Sequence, residues 1–343
     1  MRKTKFTLLA IMLTFSVLAF AQEKVDLMPK VSGFAQVRFD ANFDKDFDLK
    51  NNTFFLQRVC VNFDGKFTEK LSYRVGVDFV RKPALTDAFL KYTVCEAFVI
   101  QAGQMKTPLS IENQFNPAFD CEIFDYGTMI KQLTGYEGGI TGIGALGRDI
   151  GIMASGKLFN GWVEYKAGIF NGNGIIIKDN NKRKDFIGSI ALHPVKDLTI
   201  LGSYQNGEYI CDSMMQGDNN RWSAGIQYKS DRIVFRSEYI GGKTGREIYD
   251  PAGNISEPFN SNGFYAVAGY WFNITETQRL MPVVRYERFN GDETVEKGAV
   301  TYLTAGVTYL PVKQVNFKVN YQLAQPETGD NAHTIVAILN YKF

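Results

Sequence analysis

The sequence predicts an all-β chain that closes into a transmembrane antiparallel β-barrel of about 16 strands, with short turns at one end and long loops at the other. Three observations predict it. Apolar and polar residues alternate with a period of two almost from end to end. The connections between these segments alternate between short and long. An export leader opens the chain, and no later stretch has the ~18 consecutive apolar residues of a membrane helix.

The leader is "MRKTKFTLLAIMLTFSVLAFAQ": three basic residues, an apolar run from Phe6 to Phe20, and a small-residue site at Ala19-Phe20-Ala21. Residues 1–21 are therefore expected to be a secretory signal peptide, with residues 22–343 as one barrel. No cysteine stands directly after the cleavage site, which argues against lipid anchoring there. Taking Arg2, Lys3 and Lys5 from the 38 basic residues leaves 35 against 36 acidic ones. A near-neutral chain offers no argument for a nucleic-acid partner. An exported chain without membrane helices is either soluble or a barrel, because lipid tolerates only structures that satisfy every backbone polar group.

The strands read clearly. "LSYRVGVDF" sets Leu71, Tyr73, Val75, Val77 and Phe79 against Ser72, Arg74, Gly76 and Asp78. "VNFKVNYQL" sets Val315, Phe317, Val319, Tyr321 and Leu323 against Asn316, Lys318, Asn320 and Gln322. "WVEYKAGIF" and "RWSAGIQYK" repeat the pattern, whereas "GFYAVAGYWF" is apolar on both faces. Short connections such as "GKLFNG", "HPVKD", "KSDR" and "LPVKQ" interleave with long ones such as "ANFDKDFDLKNN" and "NGNGIIIKDNNKRK". With the N-terminus in the periplasm, every odd connection falls outside, and these are the long ones. The last strand, "IVAILNYKF", ends on an aromatic and is expected to close against the first, so that no edge is left in lipid. The alternative is a soluble sandwich. Its apolar faces would pack on one another and would not need aromatics at strand ends, whereas many of the 27 Phe and 17 Tyr lie there.

A cation facing lipid at mid-membrane costs about 2–4 kcal/mol, so the charged parity must face inward. It comprises Arg38, Arg58, Arg74, Asp78, Lys91, Lys106, Lys166, Arg221, Lys229, Arg236, Arg285 and Lys318 as candidate pore-lining residues, with Asp87, Glu164, Glu238 and Glu287 among them. Unpaired charge cannot be buried dry, and about 16 strands enclose a wide interior. The expectation is a water-filled pore for passive diffusion of small hydrophilic solutes, with anions such as phosphate an option. Arg236 and Glu238, and likewise Arg285 and Glu287, are expected to cancel partly along their strands. The second reading is an occluded structural or adhesive barrel whose outer loops bind partners.

The stretch Lys106–Gly147 follows the fifth strand and is the third outside loop. Its aromatic and acidic residues, Phe119, Asp120, Glu122 and Asp125 among them, suggest that it folds inward and narrows the pore. Within it, "GIGALG" matches a dinucleotide fingerprint at Gly142, Gly144 and Gly147, but the strand-like "RDIGIMASG" follows where a helix is required. His193, beside a proline at a turn, and His333, at the mouth of the last strand, offer no catalytic pairing. Cys60, Cys95, Cys121 and Cys211 are widely spaced without a C-x-x-C, which argues against zinc and specifies no disulfide pairing. The chain is expected to be no enzyme, with no metal and no cofactor.

The stretches "FFLQRVCVNFDGKFTEKLSYRVGVDF", "DAFLKY", "VIQAGQMKTPLSIE", "GRDIGIMASG", "YKAGIFNGNG" and "IALHPVKDLTI" resemble the phosphate-selective porin O and P family. The resemblance covers most of the mature chain and is densest from Phe54 to Gly174. It implies a 16-stranded, usually trimeric porin of the Gram-negative outer membrane with an arginine-lined pathway. It also implies lipid and the barrel-assembly machinery as partners, the latter helped by the terminal aromatic. The chain is short for that family, and its inward basic residues are interspersed with acids.

Overall fold

The computed structural model describes residues 27–43, 52–212, 215–245 and 258–343. The expected signal peptide, the tip of the first outside loop and residues 246–257 lie outside the described residues.

The wall is a closed sheet. Its first eight strands are β1 (Lys30–Asn42), β2 (Thr53–Lys66), β3 (Leu71–Asp78), β4 (Leu85–Cys95), β5 (Phe98–Lys106), β6 (Arg148–Leu158), β7 (Val163–Phe170) and β8 (Asp185–Leu192). The other eight are β9 (Leu198–Asn206), β10 (Met215–Lys229), β11 (Ile233–Thr244), β12 (Phe259–Tyr270), β13 (Arg279–Asn290), β14 (Ala299–Val312), β15 (Val315–Pro326) and β16 (Ala332–Lys342). Two short pieces, Glu208–Asp212 and Phe272–Asn273, continue β9 and β12 rather than adding walls. Each strand pairs antiparallel with its neighbour in sequence. β1 also pairs with β16, from Phe34 opposite Lys342 to Asn42 opposite Thr334. Gly33 and Phe343 exchange backbone hydrogen bonds of 3.0 Å and complete the closure.

Burial is inverted relative to a soluble protein. Along β15, Asn316, Lys318 and Asn320 are buried, while Phe317, Val319 and Tyr321 are exposed. Along β10, Arg221, Ser223 and Gln227 are buried and Trp222 is exposed. A sandwich would bury the apolar parity, so this pattern and the closed sheet exclude it. The exposed apolar set is the lipid-facing band.

Two local devices shape the wall. Phe159 and Asn160, both at positive φ (53° and 55°), close the tight turn between β6 and β7. In β2, the register shifts so that Gln36 faces Arg58 but Val37 faces Leu56. Gln57 is the extra residue of this β-bulge. The bulge swaps the parity beyond it and places Phe55 opposite the inward Arg38.

The main hydrophobic core lies inside the barrel, on the loop between β5 and β6. That loop carries two short helices, α1 (Ile111–Phe115) and α2 (Thr128–Leu133), and single 3₁₀ turns at Ala118–Asp120 and Tyr136–Gly138. Ser110 starts α1, its side chain accepting from the Asn113 N–H. Leu109, Phe124, Met129, Ile130 and Leu133 pack against inward residues of the wall, including Tyr265, Val267, Met281, Val283, Val336 and Ile338. This packing explains the segment with two apolar faces, "GFYAVAGYWF": its outer face meets lipid and its inner face meets the loop. Glycines on the wall form the sockets. A Cβ at Gly225 would stand 2.8 Å from Ile111 Cγ2, and one at Gly263 would stand 2.6 Å from Met129 Cβ. Each fully buried Leu, Ile, Met or Phe side chain contributes about 1.5–3 kcal/mol, so the loop is an anchored part of the fold.

Candidate solute pathway

The folded loop divides the inward charges into two sets. The first set is locked. Arg58 bonds Asp125 at 2.9 Å and Gln36 at 2.9 Å. Arg236 meets Glu112 at 3.0 Å and Glu122 at 2.7 Å. Glu238 accepts from the Ser110 hydroxyl and the Ile111 N–H, both at 2.9 Å. Glu287 accepts from Met129 N–H at 2.7 Å and pairs with Arg285 at 3.2 Å. Lys318 donates to the Cys121 carbonyl at 2.5 Å. Arg221 is held by the carbonyls of Asn220 and Lys243 and by the Thr244 hydroxyl. Asp78 accepts from Val59 N–H at 3.0 Å and pairs with Arg81 at 3.3 Å.

Two sequence expectations change here. The inner face is charged, yet much of it is buried, because the loop brings its own carboxylates and carbonyls to the wall cations. Arg285 and Glu287 pair as expected, but Arg236 and Glu238 do not. Two strand positions are about 7 Å apart, and the loop offers each of them a closer partner.

Electrostatics in the loop follow from this pairing. Burial alone would raise the Glu122 carboxyl, but the Arg236 guanidinium outweighs it and holds Glu122 down at about 2. Arg58 overcomes burial at Asp125 in the same way and holds its carboxyl well below the usual range. Phe119 reaches the short-turn end, edge-on to Phe34 at 5.8 Å, with Lys342 Nζ 4.8 Å from its ring. Asp120 beside it is exposed, whereas Phe119, Glu122 and Asp125 are buried.

The second set lines open space in two chambers. The chamber toward the short turns, about 420 Å³, is lined by Arg74, Lys91, Lys106, Arg148 and Lys166, with Asp87 as the one acid among the described residues. Arg74 is held by Asp64 at 2.7 Å and Lys166 by Glu164 at 3.0 Å. Lys106 donates to the Asn113 carbonyl at 2.7 Å. The chamber toward the long loops, about 720 Å³, is lined by Arg38, Arg81, Lys82 and Lys131, with Asp125 as the one acid among the described residues. Arg38 is fixed by Asp40 at 2.5 Å and lies over the rings of Phe55 and Phe124, at 5.6 and 4.9 Å. Lys229 stands apart, lining a third recess near the short turn that holds His193, 3.9 Å from Glu122.

A thin septum separates the two chambers. Arg148 lines the inner one, bonds Asp87 twice at 3.0 and 3.1 Å, and donates to the carbonyl of Leu146, which lines the outer one. Asp125 faces the outer chamber. The next residue, Tyr126, lies 5.9 Å from the Nζ of Lys106 on the inner side. The strand expected after "GIGALG" is present as β6. Among the described residues no group of three or more His, Cys, Asp or Glu could hold a metal ion, and Cys60, Cys95 and Cys121 are free thiols.

Sequence reasoning did not single out Arg81, Lys82, Lys131, Arg148 or Phe55. The first two stand in an unusually short outside connection, a signal that was available in principle. Phe55 is placed by a bulge, and Arg148 and Lys131 depend on where the loop docks.

Residues 32–160 match the family described as Phosphate-selective porin O and P. The chain is an outer-membrane porin, and this segment is of that family. Its short turns therefore face the periplasm and its long loops the exterior of a Gram-negative cell. Three solved structures show the breadth of the porin fold. The anion-selective porin from Comamonas acidovorans is 10% identical with a TM-score of 0.64, over 93% of this chain and 100% of that one. OmpF of Salmonella typhi, in complex with daunomycin, is 13% identical with a TM-score of 0.63, over 92% and 98%. The outer membrane channel DcaP of Acinetobacter baumannii is 15% identical with a TM-score of 0.61, over 95% and 100%. Comparison with curated protein sequences finds no match.

Proposed function

We propose that this porin is a passive channel for small hydrophilic solutes that favours anions, phosphate among them. Its route runs from the outer chamber, across the septum, to the inner chamber. The observation that carries this reading is the excess of basic over acidic groups among the described residues lining both chambers, while most of the other inward cations are bonded to the loop or to the wall. Cations spaced along a path pass anions when each site holds them weakly enough to release them. Of the predicted pore-lining residues, Arg38, Arg74, Lys91, Lys106 and Lys166 then meet solute, while Arg58, Asp78, Arg221, Arg236, Arg285 and Lys318 hold the loop or the wall. The loop is the constriction. Passage makes and breaks no covalent bond.

A homotrimer, assembly through the barrel machinery and a lipid annulus on the apolar band complete the proposal. The septum favours a second reading, an occluded barrel whose outer loops bind partners. Planar-bilayer recording separates the two. Stepwise current with an anion-selective reversal potential in a KCl gradient supports the channel, and silence supports occlusion. Competition by phosphate then tests whether phosphate binds in the path.

A further inference from the structure

The outer chamber is the larger of the two, about 720 against 420 Å³, and combines its cations with an apolar floor. Phe55, Val80, Pro83, Leu146 and Ile175 line it together with the four cations. Phe55 is there because the β2 bulge turns it inward opposite Arg38. Arg38 and Arg81 already have carboxylate partners, Asp40 and Asp78. Lys131 reaches Asp125 only at 3.7 Å, and that carboxylate is bonded at 2.9 Å by Arg58. Lys82 is exposed and has no ion pair among the described residues. The chamber therefore offers two under-compensated ammonium groups above a hydrophobic surface, in a volume suited to a small organic molecule.

We propose that this chamber is a binding station for organic anions with an apolar or aromatic body, the anionic head meeting Lys82 and Lys131 and the body lying against Phe55, Leu146 and Ile175. An inorganic anion gains nothing from the apolar floor and keeps its water shell. A carboxylate on an aromatic ring gains from both parts of the site. This rests on the anion-channel reading but deepens it, because it specifies a solute class at a defined point of the path.

The test is saturation-transfer NMR on the purified full-length barrel in detergent, with benzoate as the probe and acetate and inorganic phosphate as competitors. Gel mobility before and after heating checks that each variant is folded. Benzoate is expected to bind at least about tenfold more tightly than acetate or phosphate. The double variant Lys82→Gln/Lys131→Gln is expected to weaken benzoate about tenfold. Phe55→Ala is expected to remove the preference over acetate while leaving acetate binding unchanged. Equal binding of benzoate and acetate, or a benzoate signal indifferent to all three substitutions, as micelle partitioning would give, overturns the proposal. The readout needs no current. Benzoate binding in a barrel silent in bilayers overturns the channel reading alone, and an anion-selective channel without benzoate preference overturns this one alone.

Discussion

Arg58 on β2 and Asp125 in the folded loop are joined at 2.9 Å, each side chain only 5% exposed. A wall cation and a loop anion 67 positions away in sequence neutralise each other inside the lumen. Removing one partner leaves the other buried and charged, at a cost of about 3–5 kcal/mol. Arg58→Ala is therefore expected to loosen the loop and raise single-channel conductance. Arg58→Met/Asp125→Leu should restore much of the loop's resistance to protease. Equal protease sensitivity in the single and double variants would refute the coupling.

The glycine sockets make a steric prediction. A side chain at Gly263 meets Met129 and one at Gly225 meets Ile111. Gly263→Val is expected to lift α2 from the wall, destabilising the loop by about 1–3 kcal/mol and giving larger, noisier current steps. Conductance identical to the parent protein would show that the loop is not seated by this contact.

Selectivity should follow the open cations and not the locked ones. Lys91→Glu/Lys166→Glu reverses two charges lining the inner chamber and is expected to move the KCl reversal potential toward cations. Arg236→Ala, buried between Glu112 and Glu122, is expected to lower stability by about 3–5 kcal/mol and to act on selectivity only through the loop. A larger selectivity shift from Arg236→Ala than from the lysine pair would place the solute path elsewhere.

Acid should affect the loop late. Glu122 is held near 2, below its ordinary 4.5, so its pairing with Arg236 stabilises the loop fully above about 4.5 and is lost as pH falls toward about 2. Conductance is expected to be constant from pH 8 down to about 4.5 as far as this pair controls it. A step rise in conductance centred near neutral pH in the parent protein, absent in Glu122→Gln, would contradict this.

The lipid face makes the last prediction. Val319 is 56% exposed in the middle of β15. Val319→Lys is expected to cost about 2–4 kcal/mol in a bilayer, measured as a lower midpoint of heat-induced unfolding on gels. Asn320→Lys, one position on, faces the lumen and would place a second cation two residues from Lys318. It should leave the lipid contacts untouched and perturb the loop instead.

The sequence by itself determined the wall. Period-two alternation in "VNFKVNYQL", the alternating connection lengths and the apolar parity of "IVAILNYKF" depend on neighbours two residues apart, and lipid enforces that parity with a cost at every position. The length and aromatic content of residues 106–147 also marked the loop between β5 and β6 as unusual. Only the tertiary structure decided which inward charges remain open to solute. Arg236 and Lys166 share one parity and look alike in sequence, but one is sealed between Glu112 and Glu122 and the other borders a chamber. That difference is set by where a loop of some forty residues docks, through contacts such as Ile111 on Gly225 and Met129 on Gly263 that join positions more than a hundred residues apart. The β2 bulge shows the same limit on a smaller scale, since one extra residue reverses the parity of Phe55, and the apolar run Phe54-Phe55-Leu56 does not itself say which of its residues turns inward.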